Sequence, residues 1–223
     1  MKVDLHVHIH ATSRCAKQSH IDAAITAKKH GLDAIAILDH HYYPTDLQRI
    51  EAEAASGVRV FLANEICVRM NGGKNDIVLV SEKKPDFDTG EYHKRAIGEA
   101  GMDQIMQFCK ETTAFWFLAH PFRRGKPIFI DLGRYTPDAI ELASRNTPVV
   151  KRQDIIKTAD QYNIPCIATS DAHKTRQLGG FCIELDEYAG TNGLLKKAIK
   201  EKRFSLLEKR LAQVIERPRN PTF

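Results

Sequence analysis

The feature that most limits what this chain can fold into is a series of short apolar runs, each finishing in side chains able to bind a cation. The first, Met1–His8, alternates Val3, Leu5 and Val7 with Asp4, His6 and His8. On a strand, that alternation sends the three polar side chains to one side together and lets the two imidazoles converge. The same ending recurs in Asp39-His40-His41, in Glu65, in His120-Pro121 and in Ser170-Asp171-Ala172-His173. A lone His-x-His says little; its repetition at the ends of later runs says much more.

Helix signals lie between the runs. Ser19 is placed to cap a helix through Asp22 and His30 that Gly31 stops, and a second helix over Asp46–Ala55 closes at Gly57. Strands are expected at Asp33–Leu38, Val58–Ala63, Ile77–Val80 with Asp76 at its entrance, Thr113–Ala119, Ala139–Ala143, Pro165–Thr169 and Phe181–Leu185. Met102–Glu111, Val149–Tyr162 and Gly193–Lys202 read as helices, Asn71-Gly72-Gly73-Lys74 as a turn, and Glu82–Gly98 as an insertion or lid-like loop. Alternating strands and helices imply parallel strands joined by right-handed crossovers, with functional groups at the strands' carboxyl ends. Counting seven strands before Ser170 gives a barrel one unit short of the eight-stranded pattern. An open doubly wound sheet is the alternative, but only closure brings so many strand ends to one mouth.

The 223 residues fit one domain, residues 1–223, and no shift in composition marks a boundary. A net charge of +5, spread along the chain, permits attraction to phosphates without implying nucleic-acid binding. The basic stretch Lys196–Arg210 reads as a solvated helix face. Five widely spaced cysteines without a Cys-x-x-Cys suggest free thiols in a reducing compartment. With no leader-like N-terminus and no apolar run of about 18 residues, the expectation is a cytoplasmic protein with no membrane contact.

Imidazoles and carboxylates together suit Zn²⁺, Mn²⁺ or Fe²⁺. At least seven candidates exceed the three protein ligands of one catalytic ion, so two or more ions with Glu65 as the bridge would use them. Such a centre acidifies water and clamps the oxygens of a displacement at phosphorus. Arg14 and Arg123, in neighbouring loops, are placed to hold the substrate's non-reacting oxygens. Phosphoester hydrolysis follows as the first reaction class.

Asp4-Leu-His-Val-His8, Leu38-Asp-His40, Asn64-Glu65-Ile, Ala119-His-Pro121 and Ser170-Asp-Ala-His173, in this order, resemble the motifs of the PHP (polymerase and histidinol phosphatase) family. The Lys202-Arg-Phe-Ser205 segment fits as well. The resemblance implies an α/β fold, a distorted seven-stranded (β/α)7 TIM-like barrel, and two or three divalent metal ions that hydrolyse phosphoesters. It gives a first ion to His6, His8, Glu65 and Asp171. A second is shared by Glu65 with His120 and Asp76, and a third is held by His40 and His173. Glu65 and Asp171 then act on the attacking water through the metals. Many family members add an acidic or histidine ligand five residues after the His-x-His pair. Here that position is Ser13, a poor ligand, for which His10, Cys15 or His41 would have to compensate.

Plainer readings stand beside these. Asp4 is expected to orient a neighbouring histidine rather than bind metal, and Asp39 is given the same role. His20, His30 and His93 read as surface residues, Trp116 and Phe117 as core, and Cys67 and Cys166 as buried and inert. The expected partner is a small phosphorylated metabolite or nucleotide; a nuclease is less favoured, because no stripe of alternating basic and aromatic residues is present. The alternatives are a histidinol-phosphatase-like enzyme, a carbon–nitrogen hydrolase, and a regulatory protein that binds metal without turnover.

Overall fold

The computed structural model describes residues 1–10, 15–40, 42–90 and 95–208, so Ser13, Arg14, His41 and His93 lie outside the described residues. In chain order the elements are β1 (Lys2–His8), α1 (His20–Lys29), β2 (Ala34–Leu38), α2 (Asp46–Ser56), β3 (Arg59–Met70) and β4 (Gly73–Ser81). There follow α3 (Glu99–Glu111), β5 (Phe115–Ala119), β6 (Ala139–Ala143), α4 (Arg152–Gln161), β7 (Cys166–Ala168), β8 (Phe181–Leu185), α5 (Asn192–Lys200) and β9 (Phe204–Glu208).

The first two helices obey their local chemistry. Ser19 and Asp22 cap α1 reciprocally, as Thr45 and Gln48 cap α2. Gly57 ends α2 in the left-handed conformation at φ 69°, which a glycine adopts without steric cost.

One sheet runs β7-β6-β5-β4-β3-β2-β1-β8-β9. The β7 end comes round to meet β1: Val7 of β1 bridges Ala172 in parallel just past β7, with His8 N–H donating to Ala172 O at 2.9 Å and Ala172 N–H to His6 O at 3.1 Å. The result is a nearly closed, barrel-like mixed sheet of nine strands among the described residues.

This corrects the all-parallel (β/α)7 expectation. β4 pairs antiparallel with both β3 and β5, because Asn71-Gly72 turns β3 straight back with no helix between. β8 pairs antiparallel with β1, and β9 with β8. β9 falls in the stretch expected to be a solvated helix face.

Three apolar clusters organise the molecule. The barrel interior is filled by Val3, Leu5, Phe61, Val78, Phe117 and Ile167, with Leu195 and Ile199 of α5 closing the end away from the site. The other two clusters seat helices on the outside of the sheet: α3 and α4 through Met102, Ile105 and Ile155, and α1 through Ala23, Ala24 and Ala27. A register shift lies in β1 between Asp4 and Val7. Val3 and Leu5 belong to the interior cluster, whereas Val7 packs outside against α1. The alternation therefore reverses at the bulge, and Asp4 does not share a side with His6 and His8.

Candidate metal centre

Each candidate ligand reaches the barrel mouth by its own route. His6 and His8 close β1, and His40, His120, Asp171 and His173 follow directly on β2, β5 and β7. Glu65 lies in the middle of β3, which runs on past it to Met70. Two of these residues stand in the left-handed region, His120 at φ 27° and Asp171 at φ 49°. For non-glycine residues such backbone is costly and gathers at functional sites.

The side chains meet in the buried centre. His6 Nε2 lies 3.2 Å from His8 Nε2, 3.5 Å from Asp171 Oδ1 and 3.8 Å from Glu65 Oε1. Glu65 is shared: Oε1 is 2.9 Å from His120 Nε2, while Oε2 is 2.8 Å from His40 Nδ1 and 3.3 Å from His8 Nε2. His173 stacks on His8 with ring centroids 4.0 Å apart, and its Nδ1 lies 3.4 Å from Asp171 Oδ1. Among the described residues, ligand-type atoms fall into three groups, each within 4.8 Å: His6, His8 and Asp171; His6, Glu65 and His120; and His8, Cys15, His40 and His173.

Asp76 joins none of these groups. It sits on β4 opposite Ala119 and Cys67, and burial, with Glu65's charge nearby, raises its carboxyl. Arg123 lies at the mouth, lining a cavity of about 220 Å³ with Lys74, Asp76, His120, Arg124 and Lys126. A larger cavity, about 500 Å³ beside Trp116 and Lys196, contains none of the candidate ligands.

Electrostatics mark the centre as a place for cations. Burial by itself would raise Glu65, but hydrogen bonds from His120, His40 and His8 outweigh it and hold the carboxyl well below its usual range. Asp171 is likewise lowered against its burial, by the charge of His6 and by His8. Burial opposes protonation of the imidazoles, yet contacts with Cys15 and Glu65 lift His40 to about 10, and Glu65 lifts His120 to about 9. Protons thus supply the positive charge that the buried carboxylates demand. His8 Nδ1, fully buried, has no hydrogen-bond partner among the described residues. Neutral imidazole nitrogens and carboxylate oxygens at these separations fit divalent ions.

Glu141 is the participant that sequence reasoning missed. Fully buried on β6, it lies 3.3 Å from His6 Nδ1 and accepts from His120 N–H at 2.6 Å, from the Thr147 hydroxyl at 3.2 Å and from the Thr169 hydroxyl. Its one signal was a lone carboxylate in the apolar run Ala139–Ala143. Asp4 takes a different role from the one expected. It accepts from Ser170 N–H at 2.9 Å, Gly179 N–H at 3.3 Å and the backbone N–H of His6 at 3.4 Å, so it ties the segment after β7 to β1 and touches His6 through the backbone rather than the ring.

With this geometry in place, comparison with known proteins gives a partial family match and a shared fold. The model of the PHP-associated family matches residues 152–204. No curated protein matches the sequence significantly. Among solved structures, a two-domain protein from Bacteroides vulgatus, containing a predicted PHP-like metal-dependent phosphoesterase, superposes with a TM-score of 0.62 at 18% identity. That match covers 93% of this chain and 64% of the Bacteroides chain. A Bifidobacterium adolescentis protein, named for an inferred metal-dependent phosphoesterase activity, gives a TM-score of 0.56 at 14% identity, covering 77% of this chain and 87% of its own. An amidohydrolase from Chromobacterium violaceum gives 0.60 at 14% identity, covering 92% and 98%. The family match covers only the segment 152–204 and the solved structures show a shared fold; both agree with the resemblance carried by the five strand-end motifs.

Proposed function

We propose that the protein is a metal-dependent phosphoesterase acting on a small phosphorylated metabolite or nucleotide. The observation that carries this reading is the junction of two features at one residue. His120 belongs both to the buried group with His6 and Glu65 and to the wall of the cavity that Lys74, Arg123, Arg124 and Lys126 make cationic.

In this reading His6, His8, Glu65, His120 and Asp171 would hold two divalent ions, and His40 and His173 would serve a third position at the rim. Bound there, the ions supply an acidified water and charge for the attacking and leaving oxygens. The chain does the rest. Arg123 and its cationic neighbours bind the non-reacting phosphate oxygens, and their positive charge selects an anionic substrate. Glu141 fixes the ring of His6. His40 and His173, with side chains 36% and 20% exposed, line the passage between the buried centre and solvent.

The test is a phosphoester panel with the purified protein and Zn²⁺, Mn²⁺ or Fe²⁺ added singly. Metal-dependent release of phosphate, lost in Glu65→Gln, is the expected result. Full metal loading with no turnover on any phosphoester would overturn it and leave the regulatory alternative standing. A marked preference for histidinol phosphate would move the assignment to that branch. The same donor set serves carbon–nitrogen hydrolysis; the cationic cavity favours phosphate.

A further inference from the structure

At position 13, where many family members carry an acidic or histidine ligand, this chain has a serine, a poor donor; two residues on, Cys15 reaches the imidazoles of the centre. Its Sγ and nitrogens of His8, His40 and His173 lie within 4.8 Å of one another. The thiol contacts both the His8 and the His40 ring. The loop is anchored on each side of this contact: His10 N–H donates to Gln18 O at 2.7 Å, and Lys17 N–H donates to His173 O at 2.8 Å. Gln18, itself buried, donates from Nε2 to His8 O at 2.8 Å. These bonds hold Cys15 against the histidines it faces. His8 is also claimed by the buried group with His6 and Asp171, which leaves Cys15, His40 and His173 as the donors for the rim position.

We propose that Cys15 is a thiolate ligand of the third metal position, together with His40 and His173. This rests on the reading of the centre as a metal site and deepens it by assigning the position's selectivity. A thiolate with two imidazoles is a softer donor set than oxygen-rich ligation and favours Zn²⁺, Co²⁺ or Fe²⁺ over Mn²⁺ or Mg²⁺. Three protein ligands also leave one coordination place free.

The experiment loads the full chain with Co²⁺ and records its absorption spectrum and bound-metal stoichiometry. Wild type is expected to show a near-ultraviolet sulfur-to-cobalt charge-transfer band. Cys15→Ser removes the band and lowers bound metal by one equivalent. Cys15→Asp restores the equivalent without the band and lets Mn²⁺ compete more strongly with Zn²⁺. Cys67→Ser is the necessary control, since Cys67 lines the cavity beside His120; that variant must keep the band. Because Cys15 is exposed, the circular dichroism of its variants should match wild type. A fully loaded protein without the band, or a band that survives Cys15→Ser, overturns the proposal. Neither readout requires turnover: a band without phosphoester hydrolysis sinks only the proposed reaction, and hydrolysis without the band sinks only the thiolate.

Discussion

Glu141 shows how one buried carboxylate can govern a cluster it need not join. It holds His6 through Nδ1 and His120 through the backbone, and its carboxyl is lowered despite complete burial, chiefly by the His6 contact. Such partners of ligand histidines fix ring orientation and raise donor strength. Glu141→Gln keeps the shape and removes the charge, and is expected to weaken metal binding by ~10–100-fold, measured by chelator competition. Arg123→Ala is expected to act elsewhere, raising KM for a phosphoester ~10–100-fold with metal content unchanged. That range corresponds to about 1.5–3 kcal/mol for a hydrogen bond to a charged group. At this scale the sequence was most readable where a polar residue ended an apolar run, as at His120 and Asp171. It was least readable at Glu141, which interrupts a run and carries no local sign of its partners. Asp4 deceived for a related reason: alternation alone cannot reveal a bulge that puts its carboxylate on the other side of the strand from the His6 ring.

Among the elements, β4 does most to set the site apart from a uniform barrel. Since it runs against its neighbours, its beginning rather than its end lies at the mouth, which is how Asp76 and Lys74 come to the cavity. The β3–β4 tip is fastened to the loop that follows Arg123 and Arg124. Asn71 Nδ2 donates to Phe129 O at 2.8 Å, and Asn75 Oδ1 accepts from Phe129 N–H at 2.6 Å and Ile130 N–H at 3.2 Å. Gly73 permits the contact, because a Cβ there would overlap the Phe129 ring. Gly73→Ala is therefore expected to cost ~1–3 kcal/mol in stability, seen as a lower Tm, and to weaken substrate binding by displacing the cationic loop. Most element positions were legible from caps and apolar runs, including the Ser19 cap of α1 and the span of β6. Strand direction was not, because an apolar run looks alike whichever way it is laid. Phe204–Glu208 was missed since its basic surroundings resemble a solvated face, whereas pairing with β8 is a tertiary effect.

For the whole molecule, the centre ties stability to pH. Without metal, His40 and His120 carry protons up to about 10 and about 9 against an ordinary value of 6.5. The stability they contribute is complete below 6.5 and is lost as pH rises through those values. Glu65 and Asp171, lowered from 4.5 and 3.8, contribute stability above those values that disappears on acidification. Asp4, raised to about 6 by burial, opposes them between 3.8 and 6. The metal-free protein is thus expected to melt highest between 4.5 and 6.5 and progressively lower towards pH 10. Added metal displaces the protons, so its stabilisation should grow with pH over the same alkaline range, measured by thermal melts with and without Zn²⁺. Among the described residues no helix is long and apolar enough to cross a membrane.

The Val7–Ala172 seam bears on how the protein is made. Donors from the first strand wait for partners encoded some 165 positions downstream, so the nascent chain can present no finished cation trap until nearly the whole barrel has left the ribosome. For the group of His6, His8 and Asp171, any metal loading would fall late in biosynthesis, when a nearly closed ring of strands, rather than a loose N-terminal segment, meets the cell's metals.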